Sequence, residues 1–328
     1  MSSDLITPKI ELHVHLEGSV RPHDLFQMAK RNGYALPATT EAELAELYKF
    51  RDFNHFLELW MLTTPAIQTE RDFRRVVVGY AEEAASHGAV YIEGIFTPAE
   101  RVEGGASWDE VFTGFCDGIL EAKECVGIDV RLTVDIPRWV GLDVAMETAR
   151  HAVRYRDRGV VGIGIGGPED GFPPEPFGPA FRYAKDEGLG SVPHAGEAAG
   201  AESIKGAIEV LQADRLRHGI RAVEDPGLLR EIAARSIVCD VCPVSNLRTG
   251  VVPSLSEHPL PLLVAAGVSC SISTDDPAMF DTDLGHEYDV AAQMGYGAKP
   301  AFQAGVKGAL CDDETRTALE GILAAHPW

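Results

Sequence analysis

A chain of 328 residues with 45% apolar and 24% charged side chains has the make-up of a globular protein, and its length suits one elaborated barrel. Its 50 acidic against 29 basic residues leave a formal charge of −21, a field that repels nucleic acid and acidic membranes and favours a small, roughly neutral substrate. No apolar run approaches the ~18–20 residues of a membrane span. The opening MSSDLITPKIELH has neither the basic nor the apolar segment of a secretory leader, so a cytoplasmic protein with reduced cysteines is expected. An oligomer is possible, though no feature of the sequence indicates one.

In chain order, short β-branched runs fall at about residues 10–15, 89–95, 128–136, 160–166, 189–194, 214–218, 237–242 and 268–274. Several are nearly continuous in apolar character, as parallel strands covered on both faces should be. Amphipathic stretches such as 72–88 and 140–157 separate them. Eight strands alternating with helices predict an α/β fold, a closed (β/α)8 TIM barrel filling residues 1–328 as a single domain. The one long interval between the first two strands, residues 17–88, predicts a helical insertion packed over the barrel mouth.

Polar residues gather at the carboxyl ends of these strands, the edge on which barrel active sites are built. His13 and His15 end the first strand and share a face, because residues i and i+2 point the same way. His194 with Glu197 follows on the fifth, His218 on the sixth, and Asp275 with Asp276 on the eighth. A single such histidine is ordinarily a hydrogen-bonded core residue, but seven residues ending four strands point to one site. His23, His55, His87, His151, His258, His286 and His326 fall in helices or loops and read as mostly solvated, with a rim role left open for His55. Cys239 and Cys242, in IVCDVCP, sit i and i+3 on a strand and face opposite ways. They read as core packing rather than a chelating pair.

His13, His15, His194 and Asp275 together supply three imidazoles and a carboxylate, a set suited to one Zn²⁺ per chain. Such an ion brings the pKa of bound water to about 7. Glu197, His218 and Asp276 remain as acid–base groups that need not be ligands. The chemistry reads as metal-assisted hydrolysis.

ELHVHLEGS, PHAGE, RHG, CPVSN and STDDP occur in that order and resemble the adenosine deaminase family of the amidohydrolase superfamily, over about residues 8 to 290. The resemblance implies that His13, His15, His194 and Asp275 bind zinc and that Glu197 protonates purine N1 as hydroxide adds to C6. It implies that His218 orients and deprotonates the attacking water and stabilises the charge that develops on it, that Asp276 bonds N7, and that the backbone N–H of Gly167 meets N3. FNHFLELW resembles the family's hydrophobic gate, which would place Phe56, Leu57 and Trp60 over the substrate, with ordinary helix core as the alternative. Departures bear on the substrate. Family members that act on adenosine usually carry Asp where Glu17 stands, and adenine deaminases carry Glu. GIGGPE replaces the usual DLAGDE, so Gly164 stands for an aspartate, whereas HAGEAAG is closer to the nucleoside branch. Arg138, in DIPRW, is a cation at the mouth, either a rim salt bridge or a partner for the carboxylate of a 5′-extended adenosine such as aminodeoxyfutalosine. The expected substrate is adenosine or a 5′-modified adenosine, with free adenine as the alternative. A two-metal amidohydrolase cleaving a cyclic amide is disfavoured, since VVGIGIGG lacks the lysine that would bridge the metals. A structural zinc scaffold would need no acid–base set beside it.

Overall fold

The structure, a computed structural model, describes residues 6–328; the first five residues of the amino-terminal stretch read above lie outside it. β1 (Lys9–His15), β2 (Ala89–Phe96), β3 (Asp129–Pro137), β4 (Val160–Gly166) and β5 (Gly190–Ser191) form one parallel set. β6 (His194–Ala195), β7 (Arg215–His218), β8 (Val238–Val241) and β9 (Ser269–Ile272) form a second. β5 and β6 are two halves of the single stave predicted at 189–194. Pro193 has no N–H to give the ladder and interrupts it. The Val192 N–H still reaches Ile163 O at 2.9 Å, and Pro193 O accepts from Arg217 N–H at 3.0 Å. Closure comes between β1 and the residues just past β9, where Asp275 N–H donates to His13 O at 2.9 Å and His15 N–H to Asp275 O at 2.7 Å. The (β/α)8 barrel is thus shut by three of the residues that gather at its mouth.

Between β1 and β2 come α1 (Pro22–Asn32), α2 (Glu41–Leu47), α3 (Phe53–Thr63) and α4 (Glu70–Ser86). The predicted insertion divides here. α4 starts at a capping box between Thr69 and Asp72 and buries Phe73, Val76, Val77, Tyr80, Ala81 and Ala84, one apolar stripe at helical spacing. It packs on the helix Trp108–Cys125, where a Cβ at Gly114 would lie 2.9 Å from Phe73 Cβ, so α4 belongs to the outer ring. α3 instead reaches the mouth: the Trp60 ring lies 5.6 Å from His15, and the Phe56 ring 5.0 Å from Phe280. Among the described residues, no helix is long and apolar enough to cross a membrane.

Lower in the barrel, ionic pairs replace part of the usual aliphatic filling. Arg215, fully buried, donates to Glu93 at 2.7 Å and Asp240 at 2.5 Å. Arg217 pairs with Asp135 and donates to Thr133 Oγ1 at 2.6 Å. Removing one partner of a buried pair typically costs about 3–5 kcal/mol, because the other charge is left uncompensated.

Candidate active site

Three imidazole nitrogens and one carboxylate oxygen converge at the mouth. His194 Nε2 lies 3.0 Å from His13 Nε2 and 3.1 Å from His15 Nε2, while Asp275 Oδ1 lies 3.1 Å and 3.4 Å from the same two atoms. Ligands held ~2.0–2.1 Å from a tetrahedral ion stand about 3.3–3.4 Å apart, close to these four distances. Among the described residues, however, the sets compact enough to hold an ion are His13, His194, His218 and Asp275 on one side, and His15 with His194 and Asp135 or with Asp275 and Asp276 on the other. On three of the four converging residues the other polar atom is occupied, while the buried His15 Nδ1 has no partner among the described residues. His194 Nδ1–H donates to Ile165 O at 2.8 Å, which leaves the Nε2 lone pair facing the cluster. Asp275 Oδ2 accepts from Ser245 Oγ at 2.6 Å, and Cys242 Sγ lies 3.5 Å from His13 Nδ1. Asp275 and His218 have left-handed backbone, φ 64° and 62°. Non-glycine residues held there cost about 1–3 kcal/mol, which the surrounding packing must supply. His218 completes the cluster from the far side, with Nε2 at 3.5 Å from Glu197 Oε2 and 3.8 Å from Asp275 Oδ2.

The acids beside this cluster are in unusual states. Burial, then the neighbouring Asp275, pushes the Glu197 carboxyl well above the usual carboxylate range. Asp276 is pushed up in the same way, by burial and then by Asp275 and Glu197. The same burial favours the neutral form of both groups, the form that can donate. Glu197 rides on a loop fastened by Glu169, whose carboxylate accepts from the N–H groups of Gly196 and Glu197 at 2.8 Å, Ala198 at 2.7 Å and Ala199 at 3.2 Å, and from Ser203 Oγ at 2.5 Å. Burial raises the Glu169 pKa, but Arg138 and these donors outweigh it, so Glu169 stays ionised. Across the cavity, Gly167 has φ +95° and packs under Trp139, whose Cζ3 would lie 2.6 Å from any Cβ. Only glycine leaves its backbone open there.

A cavity of about 540 Å³, counting its open mouth, is lined by His15, His194, Glu197, His218, Asp275 and Asp276 at its floor and by Phe53, Phe56, Leu57, Trp60 and Trp139 higher up. Phe56 and Trp60 are both packed into the core and exposed to the cavity, so the two alternatives for them coincide. Two expected contacts are placed elsewhere. Glu17 is 2% exposed and does not line the cavity; its Oε1 accepts from Thr97 N–H at 2.9 Å, and burial raises its pKa to about 7. The extra methylene carries the carboxyl into the end of β2 rather than toward the sugar. Arg138 is no rim cation: it is 2% exposed and donates to Phe172 O and His194 O, each at 2.6 Å. It ties the loop after β4 to a cluster histidine. We expect Arg138→Ala to reduce kcat/KM equally for neutral and carboxylate-bearing nucleosides, and a loss confined to the acidic one would restore the substrate role.

One further expectation is corrected, and the reading of the two cysteines as core residues is extended. His258 is 4% exposed, bonded to Asn246 and the Leu260 N–H, not solvated. Cys242 is more than core filling, since its sulfur backs His13, while Cys239 packs beneath Gly219. His55 accepts from Arg51 N–H at 3.3 Å and does not reach the cavity. The absent aspartate at Gly164 also has an account, because a side chain there would collide with the Asp135–Arg217 pair. Asp135, Glu169, Thr97, Glu100 and Trp139 entered no expectation. Asp135 and Glu169 end β3 and follow β4, and that position alone could have singled them out. CPVSN supplies a partner each to His13, Asp275 and His218, through Cys242, Ser245 and Asn246.

A parallel barrel whose mouth gathers three histidines and an aspartate beside two carboxyls whose pKa values burial raises defines a hydrolase of the metal-dependent amidohydrolase class. A family model described as adenosine deaminase matches residues 8–325. The chain is 51% identical to an aminodeoxyfutalosine deaminase of Acidothermus cellulolyticus, over 98% of this chain and 92% of that one. Its fold superposes on an adenine deaminase from Arthrobacter aurescens with a TM-score of 0.92 and 29% identity, covering 97% of this chain and 98% of that one. An amidohydrolase from Burkholderia ambifaria with bound Zn matches with a TM-score of 0.88 and 27% identity, covering 97% and 90%. The protein belongs to the adenosine deaminase family and is a hydrolytic deaminase.

Proposed function

We propose that the protein removes the 6-amino group of an adenosine-type nucleoside extended at its 5′ position, giving the 6-oxo purine and ammonia, with one Zn²⁺ per chain. The observation that carries this reading is the donor set beside the histidine cluster. N1, N3 and N7 of a 6-aminopurine are all acceptors, and Glu197, the Gly167 N–H and Asp276 are three donors around one cavity. His13, His15, His194 and Asp275 would hold the zinc ion. When bound, it supplies an ionised water near neutral pH and polarises the reacting centre. Glu197 gives its proton to N1, which makes C6 electrophilic, and Asp276 and Gly167 fix the ring. His218 adjoins the attacking oxygen, between Glu197 and Asp275. The apolar wall of Phe53, Phe56, Leu57, Trp60 and Trp139 covers the reaction from water and accepts an apolar or aromatic 5′ group.

That extension, rather than a plain ribose, is favoured by the high identity to an aminodeoxyfutalosine deaminase. Among the described residues no arginine or lysine lines the cavity, so neither a 5′-phosphate nor the carboxylate of aminodeoxyfutalosine meets a cation there, and the 5′ group is held through its apolar part. Free adenine is the second reading, supported by the close superposition on an adenine deaminase. Ammonia release should be measured for adenine, adenosine, AMP and aminodeoxyfutalosine. The expected order of kcat/KM is aminodeoxyfutalosine above adenosine by tenfold or more, that is about 1.4 kcal/mol or more of differential binding, with AMP and adenine lowest. A value for adenine above every nucleoside would overturn the proposal.

A further inference from the structure

Behind His218, on the side away from the cavity, lies a buried line of hydrogen bonds. Asn246 Nδ2 stands 3.3 Å from His218 Nδ1, Asn246 Oδ1 stands 3.2 Å from His258 Nε2, and the backbone N of Leu260 stands 3.1 Å from His258 Nδ1. Asn246 lies in the helix Pro243–Arg248 that follows β8, and His258 in the loop beyond it; they are 0% and 4% exposed.

The direction of every bond in this line follows from its far end. A backbone N–H can only donate, so His258 Nδ1 is a bare lone pair. An imidazole carries at least one ring proton, so that of His258 is on Nε2 and is given to Asn246 Oδ1. The amide then turns its NH₂ toward His218 and donates to Nδ1. Flipping the amide would require His258 to accept at both nitrogens, which only an anionic ring can do. A protonated His218 is excluded by the same step, since its Nδ1–H would face the amide N–H.

We propose that Asn246 and His258 form a relay, anchored on the Leu260 N–H, that holds His218 neutral with its proton on Nε2, so that His218 presents a donor and not a lone pair to the reacting oxygen. The tautomer follows from the hydrogen bonds alone; its catalytic meaning rests on the deaminase reading above. Nε2–H points into the space bounded by Glu197 Oε2 and Asp275 Oδ2. His218 then keeps the orienting and charge-stabilising parts of the role that the family resemblance implies, without taking the water's proton. The ring keeps one neutral form throughout, so the protons pass through Glu197. Once it has protonated N1, its carboxylate takes the proton of the oxygen added at C6 and gives it to the departing amino group as ammonia, and it is reprotonated by the proton released when the water ionised. A donor fixed in advance needs no reorganisation when charge develops, which is the condition under which such groups are most effective. Asn246 and His258 are positioning residues acting through His218.

The test is nitrogen-15 NMR of the full-length, metal-loaded protein labelled at histidine, with His218 and His258 assigned from their variants. Both rings should show a protonated Nε2 and an unprotonated Nδ1; a protonated Nδ1 on His218 would overturn the proposal. Asn246→Asp replaces a donor by an acceptor of the same shape and should draw the His218 proton to Nδ1. With it kcat should fall about 10²–10³-fold, the loss typical of one preorganised donor, at nearly unchanged KM and metal content. An unchanged tautomer in that variant would also overturn it. If that variant fails to fold, His258→Gln decides: its Nε2–H can replace that of the imidazole and should keep the His218 pattern and most of kcat, where His258→Phe loses both. Should no 6-aminopurine release ammonia, the deaminase reading fails while the NMR result still stands or falls alone.

Discussion

His194→Ala is expected to abolish metal binding and activity together. Its Nε2 is the atom nearest both other cluster histidines, at 3.0 and 3.1 Å, so removing it opens the centre of the set rather than an edge. The ring is not part of the buried Arg215 pair, but its Nδ1 lies 3.3 Å from Asp135, the partner of Arg217, so a loss of metal must be told apart from a loss of stability. Two readouts separate the causes. Elemental analysis should give one zinc per chain in the parent and a small fraction of that in the variant; two metals in active protein would reject the single-ion assignment. A ligand that binds only the folded state stabilises it by RT ln(1 + [L]/Kd), ~4 kcal/mol at a thousandfold excess over Kd. A chelator should therefore lower the Tm of the parent and leave that of the variant unmoved. Ser245→Ala, which strips only the hydrogen bond from Asp275 Oδ2, should weaken metal affinity about 10–100-fold without abolishing it.

What could be read from the sequence was whatever a strand's period dictates. Two-residue alternation put His13 and His15 on one face, and the ends of apolar runs located His194, His218 and Asp275. All five lie at one mouth because a parallel barrel aligns its strand ends. Less legible was what depends on how far a side chain reaches. Glu17 turns into the end of β2 to take the Thr97 N–H, and Arg138 folds inward to two carbonyls, because a long side chain near buried backbone groups satisfies them before it meets solvent. The division of the 17–88 interval was hidden for another reason. α4 carries the same helical stripe whether it covers a mouth or a barrel flank, and only its packing on the helix Trp108–Cys125 decides. His258 read as solvated because a loop histidine beside Pro259 carries no periodicity; its partners lie 12 residues before it and 2 after.

Glu197→Gln is expected to keep the metal and lose nearly all turnover. Glu197 sits outside the histidine–aspartate cluster, so its replacement removes no candidate ligand, and glutamine matches its shape on a loop that Glu169 fastens through backbone N–H groups. What changes is the proton. Burial and the nearby Asp275 push the Glu197 carboxyl well above the usual carboxylate range, which favours the form that holds a transferable proton. An amide N–H can still bond purine N1 but cannot give it up. Substrate binding should therefore survive, with KM within a few-fold of the parent, while kcat falls about 10²–10⁴-fold, the range general acid–base groups supply, and more where the proton also neutralises charge in the ring. Glu169→Gln offers the contrast: it weakens the clamp on the loop without touching the proton, so KM and kcat should both suffer, each by less. If the Glu197→Gln variant turned over its best substrate at close to the parent rate, Glu197 would not be the proton donor, and Asp276, the other cavity-lining carboxyl pushed up by burial, would take its place as the candidate acid.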